Sequence, residues 1–341
     1  MTRTKQKPAT IQDVARTAQV STATVSRVLT QPKVVSEATR TSVLEAIRLT
    51  GYRVNRAART LRTQRAGAVL ILIPNLGKPF YSGILAGISE GFAGTDTSIL
   101  ISDTEVNPVE ETTLADYFLD GLIDGAILLD GRMSPPVLSR CADAGMGGRT
   151  VFLCEWVEGD WGPVIAADNA LGARLAIRHL HDLGHRNIAH VTGPAGNVLT
   201  AARREGVMAE RARLGLPARD DWIIRGDFSL ESGREAADRI FAMEDRPTAV
   251  FCAADMVAFG LIARLNACGL SVPGDISVIG FDDIEMSGHF VPALTTIRQD
   301  RRRLGLRAAE VLRDLLSGAD EQPTEPLHPV ELVIRNSTAA P

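Results

Sequence analysis

Aromatic residues are scarce in this chain: 3 Trp, 3 Tyr and 10 Phe among 341 residues. Cysteine is scarcer still. Cys141, Cys154, Cys252 and Cys268 are widely spaced and each sits among apolar neighbours. So thin a set excludes a disulfide-built scaffold and fits a reducing compartment. Long apolar runs are missing. Ala68–Ile73, closed off by Gly67 and Pro74, falls far short of the roughly 20 residues that cross a bilayer. The opening stretch Met1–Ala9 is basic but lacks the apolar centre of an export signal, so a cytoplasmic location is expected. Catalytic signatures are lacking as well, with no GxSxG elbow, no GxxxxGK[ST] loop and no dinucleotide glycine fingerprint. His181, His185 and His190 crowd one region, but with no cysteine nearby they do not suggest a metal set. Neither an enzyme activity nor a metal or cofactor is expected.

What is present is an uneven charge. The formal net charge of -4 hides two opposite ends. Residues 1–65 hold 13 Lys/Arg against 3 Asp/Glu, a net of +10, while the other 276 residues hold 24 against 38, a net of -14. A basic module joined to an acidic body points to an anionic partner that meets one end only.

The basic end reads as three short helices. Thr10 can cap the first, with Asp13 as its capping-box partner and Val14 and Ala15 facing inward. Ser21 can cap the second, whose Val25, Val28 and Leu29 share one face and leave Thr22, Ala23, Ser26 and Arg27 largely off it. Ser36 opens a third helix with Ala38, Val43, Ile47 and Leu49 as candidate core, and Gly51 stops it. Two helices separated by about three residues, the second with a small polar outer face, form a helix-turn-helix pattern. Residues 52–65 carry five arginines with only Val54 and Leu61 as large aliphatics. A short helix without an apolar stripe needs a partner surface to order.

From Gly67 the texture changes. Apolar runs at 68–73, 98–102, 126–130, 150–154, 164–166, 187–192, 248–253 and 276–281 alternate with helical stretches at 83–93, 109–119, 169–183, 200–213, 230–243 and 256–268. Near-continuous apolar strands between helices predict parallel sheets covered on both faces. A further strand is expected at Glu331–Arg335, and Ser337–Pro341 is expected to be loose.

These residues together resemble the lactose-repressor/galactose-repressor family of bacterial transcription regulators. The likeness is carried by TIQDVARTAQVSTATVSRVL and VVSEATRTSVLEAIRLTGYRVNRAARTLR at the basic end. IPNLGKPFYSGILAGI, HLHDLGHRNIAHVTGP, PTAVFCAADMVAFG, ISVIGFDDIEMS and LTTIRQDRRRLG carry it through the body, so that it spans roughly residues 10–337. STATVSRVL, FLCEWV, GDFSLESG and PTAVFCAAD are locally similar to the cytidine-responsive branch. The resemblance implies an all-α helix-turn-helix headpiece at 1–54, a hinge at 55–65, and an α/β core of two lobes with parallel sheets, like a periplasmic binding protein, at 66–337. Lobe one would hold about 66–165 and 297–325, lobe two about 166–294 and 328–337.

It also implies roles. Thr22, Ala23 and Arg27 would occupy base-reading positions, where an arginine can grip guanine with two bonds and Ala23 can offer only an apolar contact. Ser21, Ser26 and Thr10 would meet phosphates. In the hinge motif NRAARTLR, beginning at Asn55, Arg59 would touch backbone or a groove edge. Leu61 would wedge into the minor groove, unless it packs on the body. Phe80, Tyr81, Thr104 and Glu155 from one lobe and Arg203, Phe228, Asp255 and Asp282 from the other would line an effector cleft. Asp255 has the alternative of capping the helix from Met256, and Phe80 that of plain core. Expected partners are a pseudo-palindromic double-stranded operator, a second copy of the chain, and a sugar, sugar acid or nucleoside effector. No membrane is expected among the partners.

Overall fold

The computed structural model describes residues 9–52, 65–108, 113–217, 219–318 and 326–341. They fall into two compact units, one ending at Arg65 and one beginning at Ala66.

The first unit is built on capped helices. Helix α1 (Ile11–Ala18) starts at a complete capping box: the Asp13 amide donates to the Thr10 hydroxyl at 3.3 Å and the Thr10 amide donates to the Asp13 carboxylate at 2.9 Å. Helix α2 (Thr22–Thr30) is capped by Ser21, which accepts the Thr24 amide at 3.1 Å, and α3 (Glu37–Thr50) by Ser36. Gly51, at φ +65°, ends α3 in the left-handed conformation that glycine adopts without strain. Val14, Ala15, Ala18, Val25, Val28, Val43 and Ala46 close the core. Ala38 and Leu49 were expected there, but both are exposed. On α3 the inward stripe runs Val43, Ala46, Ile47, and positions 38 and 49 sit more than 100° around the helix from Val43.

The second unit holds two sheets. In the first, the parallel strands β1 (Ala68–Ile73), β2 (Ser98–Asp103), β3 (Gly125–Leu128), β4 (Thr150–Leu153) and β5 (Val164–Ile165) lie in the order β2-β1-β3-β4-β5. The second contains β6 (Ile188–Val191), β7 (Ile223–Ile224), β8 (Ala249–Cys252), β9 (Ser277–Asp282), β10 (Thr295–Gln299) and β11 (Val330–Val333). Its order is β11-β10-β9-β8-β6-β7, parallel except for β11 against β10. Helices α4 (Phe80–Gly91), α5 (Thr113–Leu119) and α6 (Pro135–Asp143) alternate with the first set of strands. Helices α7 (Asn169–Asp182), α8 (Val198–Leu214), α9 (Leu230–Ala242) and α10 (Asp255–Ala267) alternate with the second. Each sheet carries an apolar cluster on each face, as strands such as β1 and β9, buried along their whole length, require.

The chain crosses between the lobes after β5, after β10 and before β11. Helix α11 (Arg301–Ser317) returns to pack on α4, so closely that a side chain at Gly87 would strike the Arg302 carbonyl and one at Gly305 the Ile84 carbonyl. Lobe one therefore resumes after Gln299, a few residues past the expected boundary at about 297. Thr295–Arg298 pair in register with Ile279–Asp282 and belong to the second sheet. The terminal residues are also not loose. Ser337 is fully buried; its hydroxyl donates to the Val278 carbonyl at 2.6 Å and accepts the Thr295 amide at 2.8 Å.

Candidate functional site

On α2, burial of Val25 and Val28 turns Thr22, Ala23 and Arg27 outward, where all three are exposed, and leaves Ser26 half-buried. Among the described residues nothing pairs with Arg27, so its guanidinium is available to an external acceptor. The hydroxyls of Thr10 and Ser21 are already engaged in capping: Thr10 donates to Asp13 at 2.7 Å and Ser21 holds the Thr24 amide. A phosphate at either helix start would be met by backbone N–H groups more than by these side chains. Asn55, Arg59 and Leu61 lie outside the described residues.

In the second unit a cavity of about 370 Å³ opens between the two sheets, a volume suited to a small solute. Every wall is the C-terminal end of a strand or the helix start that follows it, the place where open parallel sheets hold ligands. Phe80, Tyr81 and Glu155 line it from lobe one, and Arg203, Phe228 and Asp282 from lobe two. Phe80 and Tyr81 meet edge-on at 5.2 Å where α4 begins, which makes Phe80 a cleft wall as well as a packing residue.

Arg203 is the most constrained group. On the second turn of α8 it is 2% exposed, its Nε donates to Asn169 Oδ1 at 2.9 Å, and another N–H donates to the Ala253 carbonyl. Its guanidinium lies 3.8 Å from the centroid of the Phe281 ring and its Nη2 is 3.8 Å from Asp282 Oδ1. Asp282 also accepts the Gln299 amide at 2.8 Å. Burial pushes the Asp282 carboxyl above its ordinary range, and the nearby cations Arg203 and Arg301 pull it back only in part. Burial raises Glu155 too, although the Asn197 side chain and the Gly131 amide, donating at 3.1 Å, favour its charged form. Cys154, Phe228 and Asp282, all in the walls, have φ of 67°, 66° and 117°. Non-glycine residues in that region cost on the order of 1–3 kcal/mol each and cluster at ligand clamps.

Two expected residues do not reach the cavity. Thr104 stands behind it. Its hydroxyl donates to Asp130, which holds Arg132 in a two-pronged grip, Nε and Nη2 each at 2.9 Å, and it is Arg132 that lines the cleft. Burial works against the charged form of Asp130, but Arg132 and Thr104 outweigh it and hold that carboxyl below its usual range. Asp255 is fully buried, accepts the Ile284 amide at 2.9 Å and the Ser287 hydroxyl at 2.7 Å, and accepts Thr296 besides. It does not line the cavity, and it is not the cap, since Ala254 occupies the cap position of α10. The acid instead fastens the loop after β9 to β10.

Reasoning from the sequence missed Lys78, Glu105, Arg132, Asn197 and Asp227, which complete the cleft. Lys78, Glu105, Arg132 and Asn197 each follow an apolar run by a few residues, and that position was the available signal; Asp227 follows the two-residue β7, which offers none. Asn197 caps α8, accepting the Leu199 amide at 2.9 Å, while its side chain also bonds Glu155 across the cleft. Of the crowded histidines, His185 binds Thr248 at 2.8 Å and the Ala339 carbonyl at 2.9 Å, and His190 binds the Phe251 carbonyl at 3.0 Å. Among the described residues no metal-ligating cluster occurs.

Residues 10–55 match the bacterial regulatory proteins of the lacI family, and residues 177–338 match the periplasmic binding protein-like domain. The chain is 35% identical over 332 residues to the HTH-type transcriptional repressor CytR of Escherichia coli strain K12, covering 97% of both. A lac repressor dimer solved with operator and the anti-inducer ONPF aligns with a TM-score of 0.84 and 32% identity, over 98% of this chain and 100% of that one. The complex of the transcriptional regulator CelR with cellobiose aligns with a TM-score of 0.74 and 28% identity, over 96% and 99%.

Proposed function

Because the chain belongs to the lacI family of bacterial regulatory proteins, we propose that it is a homodimeric repressor of transcription whose grip on a pseudo-palindromic operator is set by a small solute in the cleft. The family membership makes it a DNA-binding regulator with an effector-binding core, not an enzyme. The finer reading adds the repressor sense, the dimer and the class of effector.

One observation carries it. The cavity between the lobes holds a preset donor, Arg203, and a preset acceptor, Asp282, against the aromatic walls Phe80 and Phe228. Hydroxyl groups of a ring-shaped solute suit such acceptors, and the aromatic faces suit its flat side. A sugar, sugar acid or nucleoside has both features. Cellobiose in the CelR complex is one relative's example of a sugar ligand. Such a solute touches both lobes at once, so its binding favours one relative placement of them. In a dimer that placement sets the spacing of the two headpieces, and one headpiece alone reads only a half-site. The solute and the operator are thereby coupled through the states they share. The segment at 55–65, with Arg59 and Leu61, would be the joint through which the spacing is felt.

In vitro selection from random duplexes, followed by anisotropy titration with sugars, sugar acids and nucleosides, tests this. The expected result is a two-fold related site whose affinity shifts with one solute recovered unchanged. A duplex preference insensitive to every solute, or a solute that is turned over, would contradict it.

A further inference from the structure

Arg301 stands where the chain crosses back from lobe two, as the first residue of α11. It is half-buried, and among the described residues no carboxylate is in ion-pair contact with it. Every hydrogen bond of its side chain goes instead to a main-chain carbonyl. Nη1 donates to Pro79 at 3.3 Å and to Phe80 at 3.4 Å, and Nη2 donates to Asp283 at 3.2 Å.

Those carbonyls belong to the two walls of the cleft. Pro79 and Phe80 open α4 in lobe one, and Phe80 lines the cavity. Asp283 follows Asp282, the acceptor of lobe two. Neither anchor is loose. The Asp283 carboxylate is tied to Arg298 at 2.6 Å and to Arg335 at 2.7 Å, and Arg298 reaches on to Glu331 of β11 at 2.6 Å. On the other side α4 packs on α11, and Gly83 leaves the guanidinium its place: a Cβ there would stand 3.4 Å from Nη1 and 3.5 Å from Cζ of Arg301. A planar guanidinium suits this task, because its nitrogens point in fixed and different directions. One of them serves each lobe.

We propose that Arg301 is a positioning residue of the effector site, a clasp between the lobes that holds the walls bearing Phe80 and Asp282 at their resting separation and lets go of one lobe when a bound solute resets it. The bonds are long and the acceptors neutral, so the grip is weak enough to yield. The proposal rests on the regulator reading only in calling the cleft an effector site. Its test involves neither DNA nor solute, so either can fail alone.

The native thiols read the clasp in the full chain. Cys154 lines the cavity and is only 5% exposed, while Cys141 and Cys252 are buried and do not line it. Labelling with dilute N-ethylmaleimide, scored cysteine by cysteine by mass spectrometry, follows how often each site opens. R301M keeps much of the length but removes the fork. It should label Cys154 at least about fivefold faster than the wild type, the effect of one lost hydrogen bond on an opening equilibrium. Cys141 and Cys252 should keep their wild-type rates. R301K keeps the charge but brings one nitrogen to two lobes, so it should resemble R301M. A merely structural role would raise all three thiols together, and that result would overturn the proposal. An unchanged Cys154 rate in R301M, or a wild-type rate in R301K, would overturn it as well.

Discussion

Replacing Arg203 with methionine tests the architecture of the cleft most severely. Methionine keeps much of the length but removes the charge, the bond to Asn169 and the bond to the Ala253 carbonyl. Asp282, only 7% exposed, then keeps Gln299 but loses the buried cation facing it. Breaking a buried pair from one side costs about 3–5 kcal/mol, because a charge is left in a poor solvent. Here the closest nitrogen is 3.8 Å away and Gln299 remains, so about 3 kcal/mol is expected, the lower end of that range. Adding Asp282→Asn removes the stranded charge and should recover about 1–2 kcal/mol of the loss. Trp156, Trp161 and Trp222 all lie in the body, and Trp222 is fully buried, so urea unfolding followed by Trp fluorescence reads the body without the headpiece. Operator affinity without effector should stay near normal in the double variant, and the effector response should vanish. A loss below about 1 kcal/mol in R203M, or no recovery in the double variant, would refute the claim that this pair is buried and mutually dependent.

Arg27→Ala should remove about 1–3 kcal/mol of discrimination at one base pair, read by anisotropy on duplexes changed one position at a time; equal weakening on all of them would show a phosphate contact instead. Acidification should act on the cleft acids in two opposite directions. Burial raises Asp282 and Glu155 above the ordinary carboxylate range near about 4, so the folded body holds their protons at a pH where the unfolded chain has lost them. Lowering the pH through that window should stabilise the body through these groups while weakening a solute that needs a carboxylate acceptor. Effector affinity should therefore fall with acid in the wild type and fall less steeply in D282N, where Glu155 still titrates; parallel curves would exclude Asp282 as an acceptor. Ser337→Ala should cost about 1–3 kcal/mol in the same unfolding assay, since it strands the Val278 carbonyl and the Thr295 amide in the interior, and an unchanged midpoint would mean the terminal segment is not part of the fold.

The helices of the headpiece were legible because their signals are local. Thr10, Ser21 and Ser36 each sit one residue before a helix and cap it. The long strands were legible because they are apolar throughout. Strand β10 carries little strand signal because TTIRQ has one large apolar residue, and its burial is decided by its pairing with β9 rather than by its own pattern. Strand β7, with two residues, carries too little pattern to read. Within the cleft, the family resemblance pointed to Arg203 and Asp282 but could not tell a lining acid from a fastening one. Asp255 and Asp282 are both acids near strand ends; what separates them is that Ile284, Ser287 and Thr296 converge on the first. The reverse holds for Thr104, whose hydroxyl after β2 meets Asp130 after β3, across the end of the intervening β1, and so acts one step behind the wall.

The central claim is that solute and operator are bound by the same pair of states. Measuring the dissociation constant of the identified solute twice, with the full chain free and with it saturated by its operator duplex, tests this directly. The two constants should differ, and their ratio should equal the ratio of operator affinities measured with and without solute, as reciprocity demands. One solute constant, unchanged by the presence of the duplex, would contradict the account.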